Sequence, residues 1–232
     1  MKTVLITGTS RGLGKALAET FVAADWQVIA TSRSGAGQNT PSLRHLPLDL
    51  GTEDSPRVLA ATLRDTGARI DLVINNAGTN PKDHPDPGYF QSTFKVAHFS
   101  ADAVTDSLRV NALMPMQLVS GLLPILSEDA VVLNVSSWLG SITAKTNPGH
   151  YGYAGSKALL NMFTKGLALE WQDTPRAAVA LNPGWMQTDM GGPNAKTTPA
   201  EVARAVLRLH ETGALHRANG AFLNVDGSEH PW

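Results

Sequence analysis

The chain has 232 residues, a formal net charge of −1 and 42% hydrophobic side chains. That near-neutral balance excludes a general electrostatic attraction to nucleic acid or anionic membrane, so any anion must be held by a local site. There is no cysteine, which excludes disulfides, thiolate metal sites and a cysteine nucleophile.

The length fits one α/β domain. Met1 to Ile6 opens directly on a short apolar run without the charged region of a signal peptide. No apolar stretch in the sequence reaches the roughly 20 residues of a bilayer span. A cytoplasmic protein without membrane or nucleic-acid partners is expected.

Val4-Leu5-Ile6 reads as a buried strand, followed by a glycine-rich turn and a helix to about Ala24. Gln27–Thr31 is a second strand and Leu43–Leu48 a third. A polar, helix-compatible stretch from Glu53 to Asp65 precedes a fourth strand at Ile70–Ile74. Thr79–Ser100 is rich in Pro, His and Asp and reads as a long irregular loop, either functional or a solvated excursion. Ala103–Leu126 is predicted helical, Val131–Val135 is a fifth strand and Tyr153–Trp171 a helix. Ala177–Leu181 is the sixth strand, Pro199–Thr212 a helix and Ala221–Val225 the last strand. Continuous apolar runs alternating with helices predict a single α/β Rossmann-fold domain over residues 1–232. Its doubly wound parallel sheet has about seven strands, with helices on both faces.

The turn after the first strand reads Thr7-Gly8-Thr9-Ser10-Arg11-Gly12-Leu13-Gly14. Glycines there permit a tight turn and let a pyrophosphate approach the backbone, and the helix start offers unpaired N–H groups. Sites for NAD place an acid at the end of the second strand, but this strand ends Thr31-Ser32-Arg33-Ser34. Arg11 and Arg33 suit a 2′-phosphate, because guanidinium forms bidentate, charge-assisted bonds to phosphate oxygens. The expected cofactor is therefore NADP(H) in preference to NAD(H).

Tyr153 and Lys157 lie four positions apart at the start of a helix, on one face. A nearby ammonium stabilises phenolate, which would lower a phenol normally titrating near ~10 into acid–base range. Tyr151 has Gly155 at that spacing, so the pair belongs to Tyr153. Ser136-Ser137, Asn75-Asn76-Ala77-Gly78 and Pro183-Gly184 close the fifth, fourth and sixth strands, at the edge where open parallel sheets bind ligands. Either serine hydroxyl could meet a substrate oxygen.

These residues, with Asn111 in Arg109-Val110-Asn111, Thr188 and Val225-Asp226-Gly227, resemble the short-chain dehydrogenase/reductase family in order and over nearly the whole chain. Ser137-Trp138-Leu139-Gly140 and Pro183-Gly184-Trp185-Met186-Gln187-Thr188-Asp189-Met190 look like the subgroup of the Sniffer carbonyl reductase and C-factor proteins. The resemblance implies Tyr153 as acid/base, Lys157 on the nicotinamide ribose, Ser137 on the substrate carbonyl (Ser136 being the alternative) and Asn111 as anchor of a relay water. It implies a cofactor site of Gly8, Ser10, Arg11, Gly12, Leu13, Gly14, Arg33, Asp49, Leu50, Asn75, Ala77, Gly78, Tyr153, Lys157, Pro183, Gly184, Met186 and Thr188. Asp49 would meet the adenine and Thr188 the carboxamide. It also implies pairing of the Ala103–Leu126 and Tyr153–Trp171 helices in a homodimer or homotetramer.

Trp138, Leu139, Tyr151, Trp185, Met186 and Met190 beside these groups suggest an apolar pocket for an aldehyde, ketone or quinone. Gly191 and Gly192 could let the Met186–Met190 segment close over it. The expected reaction is NADPH-dependent reduction of a carbonyl to an alcohol. The competing reading is a nucleotide-binding signalling or regulatory protein with little turnover. No paired histidine spacing suggests a metal.

Overall fold

The computed structural model describes residues 1–232. Its sheet has seven parallel strands in the order β3-β2-β1-β4-β5-β6-β7. The strands are β1 (Thr3–Thr7), β2 (Gln27–Ser32), β3 (Leu43–Pro47), β4 (Ile70–Asn75), β5 (Leu126–Val135), β6 (Ala177–Asn182) and β7 (Phe222–Asn224). Strand order reverses between β1 and β4, so a crevice opens there at the carboxyl ends.

Alternation along each strand supplies both faces of the sheet. Val4 and Ile6 join Val28, Leu133 and Val179 in one core, under α1 (Gly12–Ala23) and α7 (Pro199–Glu211). Leu5 joins Ile29, Val73 and Val132 in the other, under α2 (Ser55–Asp65) and α5 (Met114–Leu122), with α6 (Tyr151–Glu170) on the same face. A capping box of Thr198 and Glu201, followed by Pro199, fixes the start of α7.

The secondary-structure expectation differs from the structure in three places. Thr79–Ser100 is not wholly irregular: it holds α3 (Pro87–Phe94), started by Asp86, whose carboxylate accepts from Gly88 N at 2.8 Å. The helix expected over Ala103–Leu126 divides into α4 (Ala101–Leu108), a π-helical turn (Arg109–Leu113) and α5. Pro115 lacks the N–H that an α-helix would direct at the Asn111 carbonyl, which accounts for the irregular turn. The fifth strand starts earlier than expected, because Leu126 already pairs with Ile70 before the chain bulges and pairing resumes at Val131. Glu128 and Asp129 occupy the bulge and stay exposed.

The helical run Ala101–Ile125 has 25 residues and holds an 18-residue window with a mean hydropathy of 1.2, long and apolar enough by those measures alone to cross a membrane. That corrects the expectation that no such stretch exists. The run packs within the domain, α4 against α6 and α5 against α2.

Candidate active site

The carboxyl ends of β1 and β4 are joined before any ligand is considered. Thr7 Oγ1 accepts from the backbone N–H groups of Asn76 and Ala77 at 3.0 and 2.9 Å. Asn76 Nδ2 donates back to the Thr7 carbonyl at 2.8 Å. Gly8 (φ +74°) lies so close that a Cβ would stand 2.9 Å from Ala77 Cα. At Gly14 a Cβ would collide with the Gly8 carbonyl and stand 2.6 Å from Asn76 Nδ2. The turn is thus as tight as a chain can make it, and glycine is required at both positions.

Helix α1 begins at this turn with no side-chain cap and no acidic residue in its first turn. Its leading N–H groups face the cleft with a partial positive charge, the chemistry a pyrophosphate needs. The cleft has a volume of about 980 Å³, at the upper end of the ~300–1,000 Å³ common for small-molecule sites. These features fit a dinucleotide.

The cleft wall gathers Gly8, Ser10, Arg11, Gly12, Leu13, Gly14, Arg33, Asp49, Leu50, Ala77, Gly78, Tyr153, Lys157, Pro183, Met186, Thr188 and Met190 from the sequence-derived set. Four of the catalytic and cofactor-binding members of the set lie outside the wall and have other partners. Asn75 Nδ2 donates to Asn134 Oδ1 at 2.8 Å, beneath the cleft floor, so Asn76 and not Asn75 lines the site. Gly184 stands apart at φ +73°, its N–H on Asn182 Oδ1 at 3.2 Å. Asn111 spends its amide on Thr79 N and O, at 2.8 and 2.9 Å, and on Ser156 Oγ at 2.9 Å. Ser137 is buried just behind the wall, its Oγ accepting from Leu139 N at 3.2 Å.

Of the residues expected to form the apolar pocket, Met186 and Met190 line the cleft. Trp138, Tyr151 and Trp185 are 38%, 41% and 55% exposed and, with Leu139, contribute nothing to the cleft wall. Tyr151 instead packs edge-on against Phe99, and Trp185 Nε1 donates to the Gly191 carbonyl at 2.7 Å. Neighbours in sequence diverge because Ser137 opens a 3₁₀ turn that swings Trp138 outward. The wall near Tyr153 is built by residues the sequence reading left in the Thr79–Ser100 loop: Pro81, Asp83, His84, Pro85 and Tyr89. Tyr89 donates to Asp106 at 3.0 Å and stacks on His84 with ring centres 4.1 Å apart.

Two contacts cross the mouth of the cleft. Arg11 pairs with Asp189, and Lys82 donates to the Met190 carbonyl. The loop bearing Asp189 is tied internally, with Gly191 N and Gly192 N both bonded to Thr188 at 3.0 and 2.7 Å.

Tyr153, Lys157 and Asn161 share one face of α6. Lys157 is 4% exposed, its Nζ donates to the Val135 carbonyl at 2.8 Å, and burial pushes its ammonium down to about 8. Burial pushes the Tyr153 phenol up to about 12; hydrogen bonding with Ser137 opposes the rise and the Asp83 carboxylate adds to it. Lys157 Nζ stands 5.9 Å from the Tyr153 ring centre and is bonded to a carbonyl, and its charge is not among the causes that set the phenol in this structure.

The family model for short-chain dehydrogenases matches residues 2–199. The C-signal protein of Myxococcus xanthus is 35% identical over 165 residues, covering 70% of this chain and 93% of that protein. A chain from Burkholderia multivorans solved with bound NADP superposes with a TM-score of 0.84 at 32% identity, covering 100% of this chain and 99% of that one. The Sniffer carbonyl reductase of D. melanogaster gives a TM-score of 0.85 at 27% identity, with 100% of both chains covered. A family match over most of the length and whole-chain superposition on these relatives agree with the strand order and the glycine turn: the chain belongs to the short-chain dehydrogenase/reductase family.

Proposed function

We propose that this protein is an NADPH-dependent carbonyl reductase in which Tyr153 gives the proton. The observation that carries this reading is one continuous cleft lined by Arg11 and Arg33, the uncapped start of α1 and Tyr153 with Lys157. When bound, the dinucleotide supplies a hydride. The Tyr153 phenol is protonated at neutral pH and hydrogen-bonded with Ser137, so it can give the proton that a reduced carbonyl oxygen requires, although burial makes it a weaker acid than a free phenol. Ser136 also lines the cleft, but its hydroxyl already donates a hydrogen bond to Asn161 Oδ1 at 2.6 Å, whereas Ser137 is hydrogen-bonded with Tyr153, which favours Ser137 as the group that holds the substrate oxygen. The Asn111 carbonyl, denied an α-helical donor by Pro115, suits a relay water better than the Asn111 amide, which is fully engaged. The bound Burkholderia multivorans relative supports NADP as the cofactor class. Exposed Leu113, Leu123, Met162 and Leu169 near or on α5 and α6 support a homo-oligomer through those helices.

The test follows NADPH absorbance with a panel of aldehydes, ketones and quinones for the native chain and Tyr153→Phe. We expect turnover with at least one carbonyl and a loss of about 10²-fold or more without the phenol. A native rate that survives the substitution would overturn the mechanism. Tight NADPH binding with no turnover on any carbonyl would favour a regulatory role.

A further inference from the structure

We propose that Asn161 is a positioning residue for Ser137, acting by clamping the chain on both sides of it. This rests on Ser137 being the substrate-orienting hydroxyl. Asn161 is 4% exposed, two helical turns beyond Tyr153 and one beyond Lys157 on the same face of α6. Its Oδ1 accepts from Ser136 Oγ at 2.6 Å, and its Nδ2 donates to the Gly140 carbonyl at 3.3 Å. Ser136 precedes Ser137, and Gly140 closes the turn that Ser137 opens, with Gly140 N on the Ser137 carbonyl at 2.8 Å. One amide therefore pins both ends of a short arc whose first residue is Ser137.

The arc has little other freedom, which is why an amide suffices. Gly140 lies flat on α6, where a Cβ would stand 2.8 Å from Lys157 Cβ. On the far side, Trp138 N donates to Asn182 Oδ1 at 3.2 Å. The Ser137 oxygen accepts from Leu139 N at 3.2 Å, so the turn geometry also sets the direction of the Ser137 O–H. Without Asn161 the buried Ser136 hydroxyl loses its acceptor and the arc loses its fastening to the helix that carries Tyr153. Asn161 touches neither cofactor nor substrate in this arrangement; its effect passes through Ser137.

A double-mutant cycle in the full chain tests this with benzaldehyde or the best carbonyl of the panel. Asn161→Ala is expected to lower kcat about ten-fold with NADPH affinity unchanged, and to add nothing on a Ser137→Ala background. Ser136→Ala, a smaller change, is expected to reproduce part of the loss, since it breaks one of the two bonds. Amide hydrogen exchange of the free protein gives a reading without cofactor: Asn161→Ala should speed exchange over residues 137–141 and leave residues 163–170 unchanged. Full additivity of Asn161→Ala and Ser137→Ala, or unchanged exchange in the arc, would overturn the proposal. A silent Ser137→Ala would instead overturn the assignment of Ser137. If Asn161→Ala fails to fold, Ser136→Ala and its cycle with Ser137→Ala carry the same test.

Discussion

Lys157 is the costliest side chain in the site, and its cost is measurable. An ammonium has three donors, yet the protein gives this one a single partner, the Val135 carbonyl at 2.8 Å. Burial lowers it from an ordinary 10.5 to about 8, a penalty of about 3 kcal/mol on the charged form. The sign follows from proton counting. Between about pH 8 and 10.5 the unfolded chain holds a proton that the folded chain has lost, so stability rises with pH through that window. Above about pH 10 the half-buried phenols of Tyr153 and Tyr89, both raised to about 12, pull the other way. The clean interval is therefore about pH 8 to 10, over which native stability should rise by about 2–3 kcal/mol from Lys157 alone. Lys157→Met removes the charge and keeps the volume. At neutral pH it recovers the ~3 kcal/mol penalty but strands the Val135 carbonyl, at ~1–3 kcal/mol. The variant should be as stable as the native chain or up to about 2 kcal/mol more so, with carbonyl reduction largely lost. Urea unfolding of both proteins at the two ends of the interval checks this. A native stability that does not rise relative to Lys157→Met, or a variant clearly less stable at neutral pH, would refute the reasoning.

Three further outcomes follow from named contacts. Arg11 is shared between Asp189 and any phosphate, so Asp189→Asn should tighten NADPH about two- to five-fold, the scale of an exposed ion pair; fluorescence titration reads it. Arg33 lines the cleft without a salt-bridge partner, and Arg33→Asp should weaken NADPH about 10- to 100-fold while NADH changes little. His210 lies buried against Trp26 with Nδ1 unpartnered, facing Lys2, His216, Asp71 and Asp129, and burial with the Lys2 charge lowers it from 6.5 to about 4. The unfolded chain takes up that proton first on acidification, so about 3 kcal/mol should be lost between those values. His210→Phe should flatten that decline in thermal melts.

What could be read from the sequence depended on how local its cause was. Val4–Ile6 and Val131–Val135 are buried on both faces of a parallel sheet, so their apolar runs were sufficient. The choice of Tyr153 over Tyr151 was also local, because it rests on a helical spacing. The break at Arg109–Leu113 was not, although Pro115 four residues after Asn111 carried a signal for it. The placement of Trp138 and Tyr151 is not local either: adjacency in sequence to Ser137 and Tyr153 says nothing about direction, and both side chains are exposed. The wall from Pro81 to Tyr89 was missed because its helix start at Asp86-Pro87 was read as loop. Asn161 was invisible because its partners lie 25 and 21 residues away.

Helix α6 shows where the sequence concentrates chemistry at the expense of packing. A helix laid on a sheet ordinarily buries an apolar stripe, yet α6 buries Ser156, Lys157, Asn161 and Thr164. Each has an answering group: Ser156 receives Asn111, Lys157 reaches Val135, Asn161 holds Ser136 and Gly140, and Thr164 takes Asn134 while donating to Leu160. At the end of the Thr164–Asn134–Asn75 chain one atom is left over, the buried Asn75 Oδ1. Apart from Lys157, whose ammonium has a single partner and carries the burial penalty, the stripe is paired, and its bonds fix its members' positions tightly. The apolar cores on the two sheet faces hold the fold, and this stripe holds the register of Ser137, Tyr153 and Lys157. Substitutions that break one bond of the stripe should therefore appear first in kcat and only afterwards in the melting temperature.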